Sequence, residues 1–157
     1  MRTFTLDRQI WLDRSPEEIF GFFADAGNLD LLTPQWLRFR IVTPSRVSMG
    51  ENTQIDYRLR LRGIPLRWRS RITAWEPPFL FVDEQVQGPY RYWKHVHRFR
   101  EIEGGTLVSD EVAYAVWGGE IVERLLVRPD LARIFDYRMR RLEEKFAPAG
   151  IPHVGKR

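Results

Sequence analysis

From Trp36 to Trp117 the apolar residues tend to recur at every second position, and from Ile121 to Phe146 at every third or fourth. The first period belongs to strands with one buried face, the second to an amphipathic helix. A set of antiparallel strands with one apolar face has to be covered, and the single long helix that follows is the available cover. The clearest strand pair is Ile55, Tyr57, Leu59 and Leu61, alternating with Asp56, Arg58, Arg60 and Arg62. After a turn at Gly63-Ile64-Pro65 come Leu66, Trp68, Ser70, Ile72 and Ala74, with Arg67, Arg69 and Arg71 between them. These runs read as an antiparallel hairpin with a basic outer face. Pro77-Pro78 ends it, Phe79 to Gln87 and Tyr90 to Glu101 pair around Gly88-Pro89, and Glu103-Gly104-Gly105 leads into Thr106 to Trp117. On that last strand Val108, Asp110, Val112, Tyr114 and Val116 share a face.

Ahead of this region, Thr3 to Leu12 reads as a first strand. Ser15, Pro16 and Glu18 then form a helix start, with Ser15 as N-cap, Pro16 at the first helical position and Glu18 closing a capping box. A short helix through Ile19, Phe20, Phe22 and Phe23 follows, and a second over Asn28 to Leu32 stops at Thr33-Pro34. In the C-terminal helix Ile121, Leu125, Leu126, Leu131, Ile134, Phe135, Met139, Leu142 and Phe146 form the apolar stripe, and Pro129 is expected to break or kink it near Arg128. Residues 1–147 are expected to form one α+β domain, with 148–157 a flexible tail. With 157 residues and 43% hydrophobic content, such a chain builds a core without staples. It has no cysteine, which excludes disulfides, thiolate metal sites and a cysteine nucleophile and suits a reducing cytoplasm. No run has the pattern of a signal peptide or the length of a transmembrane segment.

Two of the three histidines lie in the run Gly88-Pro89-Tyr90-Arg91-Tyr92-Trp93-Lys94-His95-Val96-His97-Arg98-Phe99. On a strand Trp93, His95, His97 and Phe99 share one side, so two imidazoles and an indole face the same way. Such polar ring chemistry on an apolar face suits a pocket that orients a ligand. Asp110 and Tyr114 face inward by the same alternation, and a buried aspartate requires a histidine or arginine partner. His95, His97, Asp110 and Tyr114 are therefore candidate acid–base residues, set against a satisfied polar network that only fixes the sheet. Asp83 and Gln85 face His95 if Phe81 is inward; a loop one residue different would bring Glu84 there. A metal at His95 and His97 needs a third ligand from Asp83, Asp110 or Glu111, and because no spacing identifies it, no metal is assigned. Tyr57, Leu59, Trp68, Ile72, Phe81, Trp93 and Phe99, with Phe135 and Met139 from the helix, are the candidate cavity wall, and Leu32, Pro34 and Trp36 its entrance.

The order of elements, with Ser15-Pro16-Glu17-Glu18-Ile19-Phe20, Asn28-Leu29, Leu32-Thr33-Pro34, Gly88-Pro89-Tyr90, Trp93, His95, His97 and Phe135-Asp136-Tyr137-Arg138, resembles the helix-grip superfamily. That superfamily includes START domains, Bet v 1 allergens, polyketide cyclases and coenzyme Q-binding proteins, and the resemblance is to a bacterial cyclase/dehydrase-type branch. It implies a curved antiparallel sheet of about seven strands wrapped around a long C-terminal helix. It also implies a largely apolar cavity for a bulky hydrophobic ligand such as a lipid, polyketide or quinone. Some members of the superfamily carry a ligand and others catalyse dehydration or ring closure; no catalytic motif of those enzymes matches residue by residue.

The net charge of +4 permits an acidic partner without requiring one. The arginine ladder Arg58, Arg60, Arg62, Arg67, Arg69 and Arg71 lacks interleaved exposed aromatics, so no specific nucleic acid is expected, and a solvated outer face accounts for it. No Walker, dinucleotide, HExxH or EF-hand pattern occurs, and no cofactor is assigned. The expected partner is a hydrophobic small molecule, held by a monomer or homodimer. The alternatives are a cyclase or dehydratase acting in the same cavity, and a module using the arginine face on an anionic partner.

Overall fold

A computed structural model describes residues 1–43 and 48–147; the tail expected over 148–157 lies outside the described residues. Seven strands form one antiparallel sheet: β1 (Phe4–Leu12), β2 (Arg40–Ile41), β3 (Gln54–Leu61), β4 (Ile64–Glu76), β5 (Leu80–Gln87), β6 (Tyr92–Ile102) and β7 (Gly105–Ala115). Their spatial order is β1-β7-β6-β5-β4-β3-β2, so six strands run as a meander and the first joins the last. Two short helices, α1 (Pro16–Phe23) and α2 (Leu29–Leu32), follow β1. The C-terminal helical segment comprises α3 (Gly119–Val122), a π turn (Glu123–Val127) and α4 (Arg128–Lys145).

Turn chemistry sets the hairpin registers. Arg62 and Gly63 both have positive φ, and Leu61 pairs with Ile64 across them. Glu103 and Gly104 do the same between Ile102 and Gly105. Both are two-residue turns with two left-handed residues, whose twist matches that of the strands they join. The first hairpin therefore turns one residue earlier than Gly63-Ile64-Pro65, because Ile64 and Pro65 already pair with Leu61 and Arg60. Between β4 and β5 the register slips at Arg69/Ser70 and again at Ile72/Ala74. Such irregularities bend a strand and curve the sheet.

Ser15 caps α1 by accepting the Glu18 N–H at 3.2 Å. The reciprocal half of the capping box is absent: the Glu18 carboxylate lies 3.4 Å from the Arg14 guanidinium instead. The core has two apolar clusters on the concave face. One joins Phe20, Phe23, Ile72, Phe81, Phe99 and Leu142; the other joins Leu6, Trp93, Val112, Tyr114, Leu131 and Phe135. α4 lies along β1, where Arg8 reaches Asp136 at 2.8 Å. Arg58, Arg60, Arg67, Arg69 and Arg71 of the arginine ladder are on the outer face, where Arg69 pairs with Asp56 and Arg58 stands opposite both Arg40 and Arg67, whereas Arg62, in the β3–β4 turn, reaches across to Asp130 on α4.

Pro129 does not break the helical segment. It sits in the first turn of α4, and the turn before it is widened to accommodate it, so that Arg128 N–H bonds Glu123 C=O. This π turn also rotates the face that meets the sheet. Ile121, Leu125 and Leu126, expected in the buried stripe, are exposed, whereas Glu123 is fully buried.

Candidate functional site

Strand pairing brings four polar residues together beneath α4. Phe81 stands opposite His97 and Asp83 opposite His95 on β5 and β6, and His97 stands opposite Asp110 on β7. The register therefore puts Asp83, not Glu84, on the inward face. From above, Arg138 on α4 completes the group. Asp110 is fully buried, and His95, His97 and Arg138 are all under 10% exposed.

The contacts fix the hydrogens. Arg138 donates through Nε to Asp110 Oδ2 at 2.7 Å, and its Nη2 lies 3.3 Å from Asp110 Oδ1 and 3.2 Å from His97 Nδ1. A guanidinium has no lone pair to offer, so His97 Nδ1 accepts and Nε2 carries the hydrogen, which it donates to Asp83 Oδ2 at 2.6 Å. His95 donates from Nε2 to Asp110 Oδ1 at 2.7 Å. Its Nδ1, 3.7 Å from Asp83 Oδ2, has no hydrogen-bond partner among the described residues and is open to the cavity. The imidazoles stack at 3.6 Å between ring centres, and Phe81 stacks on His97 at 3.9 Å. Phe135 meets His95 edge-on at 5.3 Å, and Arg138 lies over the Phe23 ring.

Burial alone would raise the pKa of Asp110; the Arg138 guanidinium and then His95 outweigh it and hold the carboxyl well below the usual range. Asp83 behaves similarly, with burial opposed by the His97 hydrogen bond and by His95, and ends lower than an ordinary aspartate. His95 is pushed down by burial and then by His97, so it is neutral near pH 7. Two carboxylates and one guanidinium then leave about one negative charge, which a single proton on the imidazoles, or a cation, would neutralise.

A cavity of about 180 Å³ opens onto this cluster between α2, the segment to Phe39, strands β3 to β6 and α4. Tyr57, Leu59, Trp68, Asp83, Trp93, His95, His97, Phe135 and Leu32 line it. Other positions chosen from the sequence lie elsewhere. Ile72, Phe81 and Phe99 are closed into the first apolar cluster, with Met139 packed against it. Gln85 bridges the β5–β6 turn, donating to Tyr90 C=O at 2.8 Å and accepting its N–H at 3.1 Å. Pro34 is fully buried, and Trp36 lies on the surface against Tyr137 and Arg133. Leu29, Leu37 and Phe39 line the cavity as well.

Tyr114 is also separate from the histidines. It faces inward, but its hydroxyl donates to Glu123 Oε1 at 2.6 Å, and Glu123 accepts two bonds from Arg128 at 2.9 and 2.8 Å. Four residues beyond Asp110 on β7, it sits roughly 13 Å further along the strand. Arg138 and Glu123 are the polar residues that pattern reading did not assign. A buried Asp110 signals that some cation is near, but nothing in the spacing selects Arg138 among the many arginines of the helix. Glu123 reaches the interior through a π turn that no period reveals.

The geometry agrees with several solved structures at low sequence identity. Protein TTHA0849 from Thermus thermophilus is 17% identical, with a TM-score of 0.68 over 94% of this chain and 99% of its own. The ginseng major latex-like protein 151 from Panax ginseng gives 12% and 0.69 over 93% and 99%. Protein Ms6760 from Mycobacterium smegmatis gives 15% and 0.66 over 90% and 89%. At such identity these likenesses establish the fold alone. No functionally curated protein matches the sequence. The family model described as polyketide cyclase / dehydrase and lipid transport matches residues 12–142, nearly the whole described chain, and the protein belongs to that family.

Proposed function

We propose that the protein binds a hydrophobic small molecule between its sheet and α4, with the ligand's polar end against His95 and Asp83. The observation that carries this reading is the cavity itself: apolar walls from Leu29, Leu37, Leu59, Trp68 and Phe135 converge on a floor of hydrogen-bonding side chains. Membership in a family described by lipid transport and polyketide cyclisation supports it. Size limits the occupant. A dry apolar cavity of roughly 150 Å³ accepts benzene, and small-molecule sites commonly run from about 300 to 1,000 Å³. An interior of about 180 Å³ takes one ring or a short chain, so the rest of a bulkier lipid, polyketide or quinone would extend out of its mouth.

Native mass spectrometry of freshly purified protein, followed by organic extraction, tests this. A stoichiometric lipophilic adduct is expected, and Leu59→Trp, which fills the cavity, should abolish it. A clean apo mass after incubation with lipids, quinones and polyketides would sink the proposal. Proton transfer in the same cavity is a second reading, favoured by one observation: His95 has Nε2 fixed on Asp110 and Nδ1 open to the cavity. It predicts turnover that His95→Asn removes while ligand affinity is kept.

A further inference from the structure

We propose that Asp83, His95 and His97 form a binding site for zinc or a neighbouring divalent first-row ion, with its open face toward the cavity. The three side chains each bring one ligating atom within 4.8 Å of the others. Asp83 Oδ2 is the hub, 2.6 Å from Nε2 of His97 and 3.7 Å from Nδ1 of His95. Two imidazoles and one carboxylate on one side, leaving the other side open, is a donor set that such ions accept.

The outer shell makes this more than a coincidence of neighbours. Each ring turns one nitrogen toward Asp83 and its far nitrogen toward a single carboxylate. Asp110 Oδ1 lies 2.7 Å from Nε2 of His95 and 3.4 Å from Nδ1 of His97. Asp110 is itself held by Arg138 at 2.7 Å. Metal-bound histidines are ordinarily oriented by a carboxylate, a backbone carbonyl or a water on the far nitrogen, and Asp110 is placed to serve as the first of these. Charge points the same way, because two carboxylates against one guanidinium leave the group short of positive charge.

In the metal-free protein the hydrogen on His97 Nε2 occupies the place of the ion. Binding moves it to Nδ1, where it points at Asp110 and displaces the Arg138 Nη2 contact to that nitrogen, leaving Arg138 with its bonds to the carboxylate. The 2.6 Å contact must open to about 3.3 Å, the spacing of two donors on a tetrahedral ion with bonds of about 2.0–2.1 Å, and the stacked imidazoles, whose planes lie 27° apart, must pivot so that both in-plane lone pairs meet the ion. Asp83 has room to move, since its side chain is 17% exposed at the cavity edge and its hydrogen-bond and ion-pair partners among the described residues are the two histidines.

The test is titration of untagged, chelator-stripped, full-length protein with Co²⁺, followed by visible absorption and displacement with Zn²⁺. One Co²⁺ per chain is expected, with intense ligand-field bands that Zn²⁺ abolishes. Asp83→Asn and His97→Gln should each weaken binding at least tenfold, and Asp110→Asn about 10- to 100-fold through loss of orientation. His153→Gln, which alters the one histidine outside the described residues, should leave the bands unchanged. Bands absent from the parent protein, or persisting unaltered in both Asp83→Asn and His97→Gln, would overturn the proposal. The titration uses no lipophilic ligand and the adduct measurement uses no metal, so either reading can fail while the other stands.

Discussion

Arg138 is the only cation within hydrogen-bonding reach of the Asp110 carboxylate among the described residues, and the two form one electrostatic unit. A buried ion pair contributes less than its Coulomb attraction suggests, because both charges have lost water, but removing one partner strands the other. Arg138→Met is therefore expected to destabilise the protein by about 3–5 kcal/mol in urea unfolding. Adding Asp110→Asn to it should recover part of that loss, because the double variant no longer buries a lone carboxylate. Equal losses in the single and double variants would mean that packing at Arg138, and not its charge, governs stability. At this scale much of the site was legible. His95, His97 and Asp110 follow from alternation alone, whereas Arg138 required knowing how α4 rotates over the sheet, which no local pattern contains.

The joint between α3 and α4 depends on an element-level feature. The π turn at Glu123–Val127 swings Glu123 inward onto Tyr114 and Arg128, and so pins the start of the long helix to β7. Burial acts to raise the Glu123 pKa; hydrogen bonds from Arg128 and then Tyr114 outweigh it and leave the carboxyl below its ordinary value. A carboxylate depressed on folding contributes stability that is complete above its unfolded pKa and disappears as pH falls through the folded one. Glu123→Gln should therefore cost stability at pH 7, and the gap to the parent should close as the pH falls below about 4.5, read from denaturant melts at successively lower pH. A gap that stays constant with pH would show that shape, not charge, holds the joint. The same turn explains why the helical stripe misleads at its start. Ile121, Leu125 and Leu126 keep the spacing of a buried face, but an extra residue in the turn moves that face to solvent.

At the scale of the whole molecule, the order of elements, the hairpins and the covering helix follow from the switch of period between Trp117 and Ile121, helped by the glycine turns, whereas the seat of β1 beside β7 does not. The cavity was less legible. Ile72, Phe81 and Phe99 have the same alternation as Leu59 and Trp68, and only the curvature from the β4–β5 irregularities decides which of them meet a neighbour and which meet a void. The placement of β1 has a further effect, on how the chain reaches this state. Phe4 pairs with Tyr114 and Leu12 with Thr106, so the first strand finds its sheet neighbour about a hundred residues later. Closing so long a loop costs entropy before any contact rewards it, which places folding in the millisecond-to-second range, testable by stopped-flow refolding. During synthesis β1 has no partner until β7 has left the ribosome. The nascent chain must carry the apolar face of that strand unpaired while the roughly hundred residues up to β7 are made, an interval in which chaperones have something to hold.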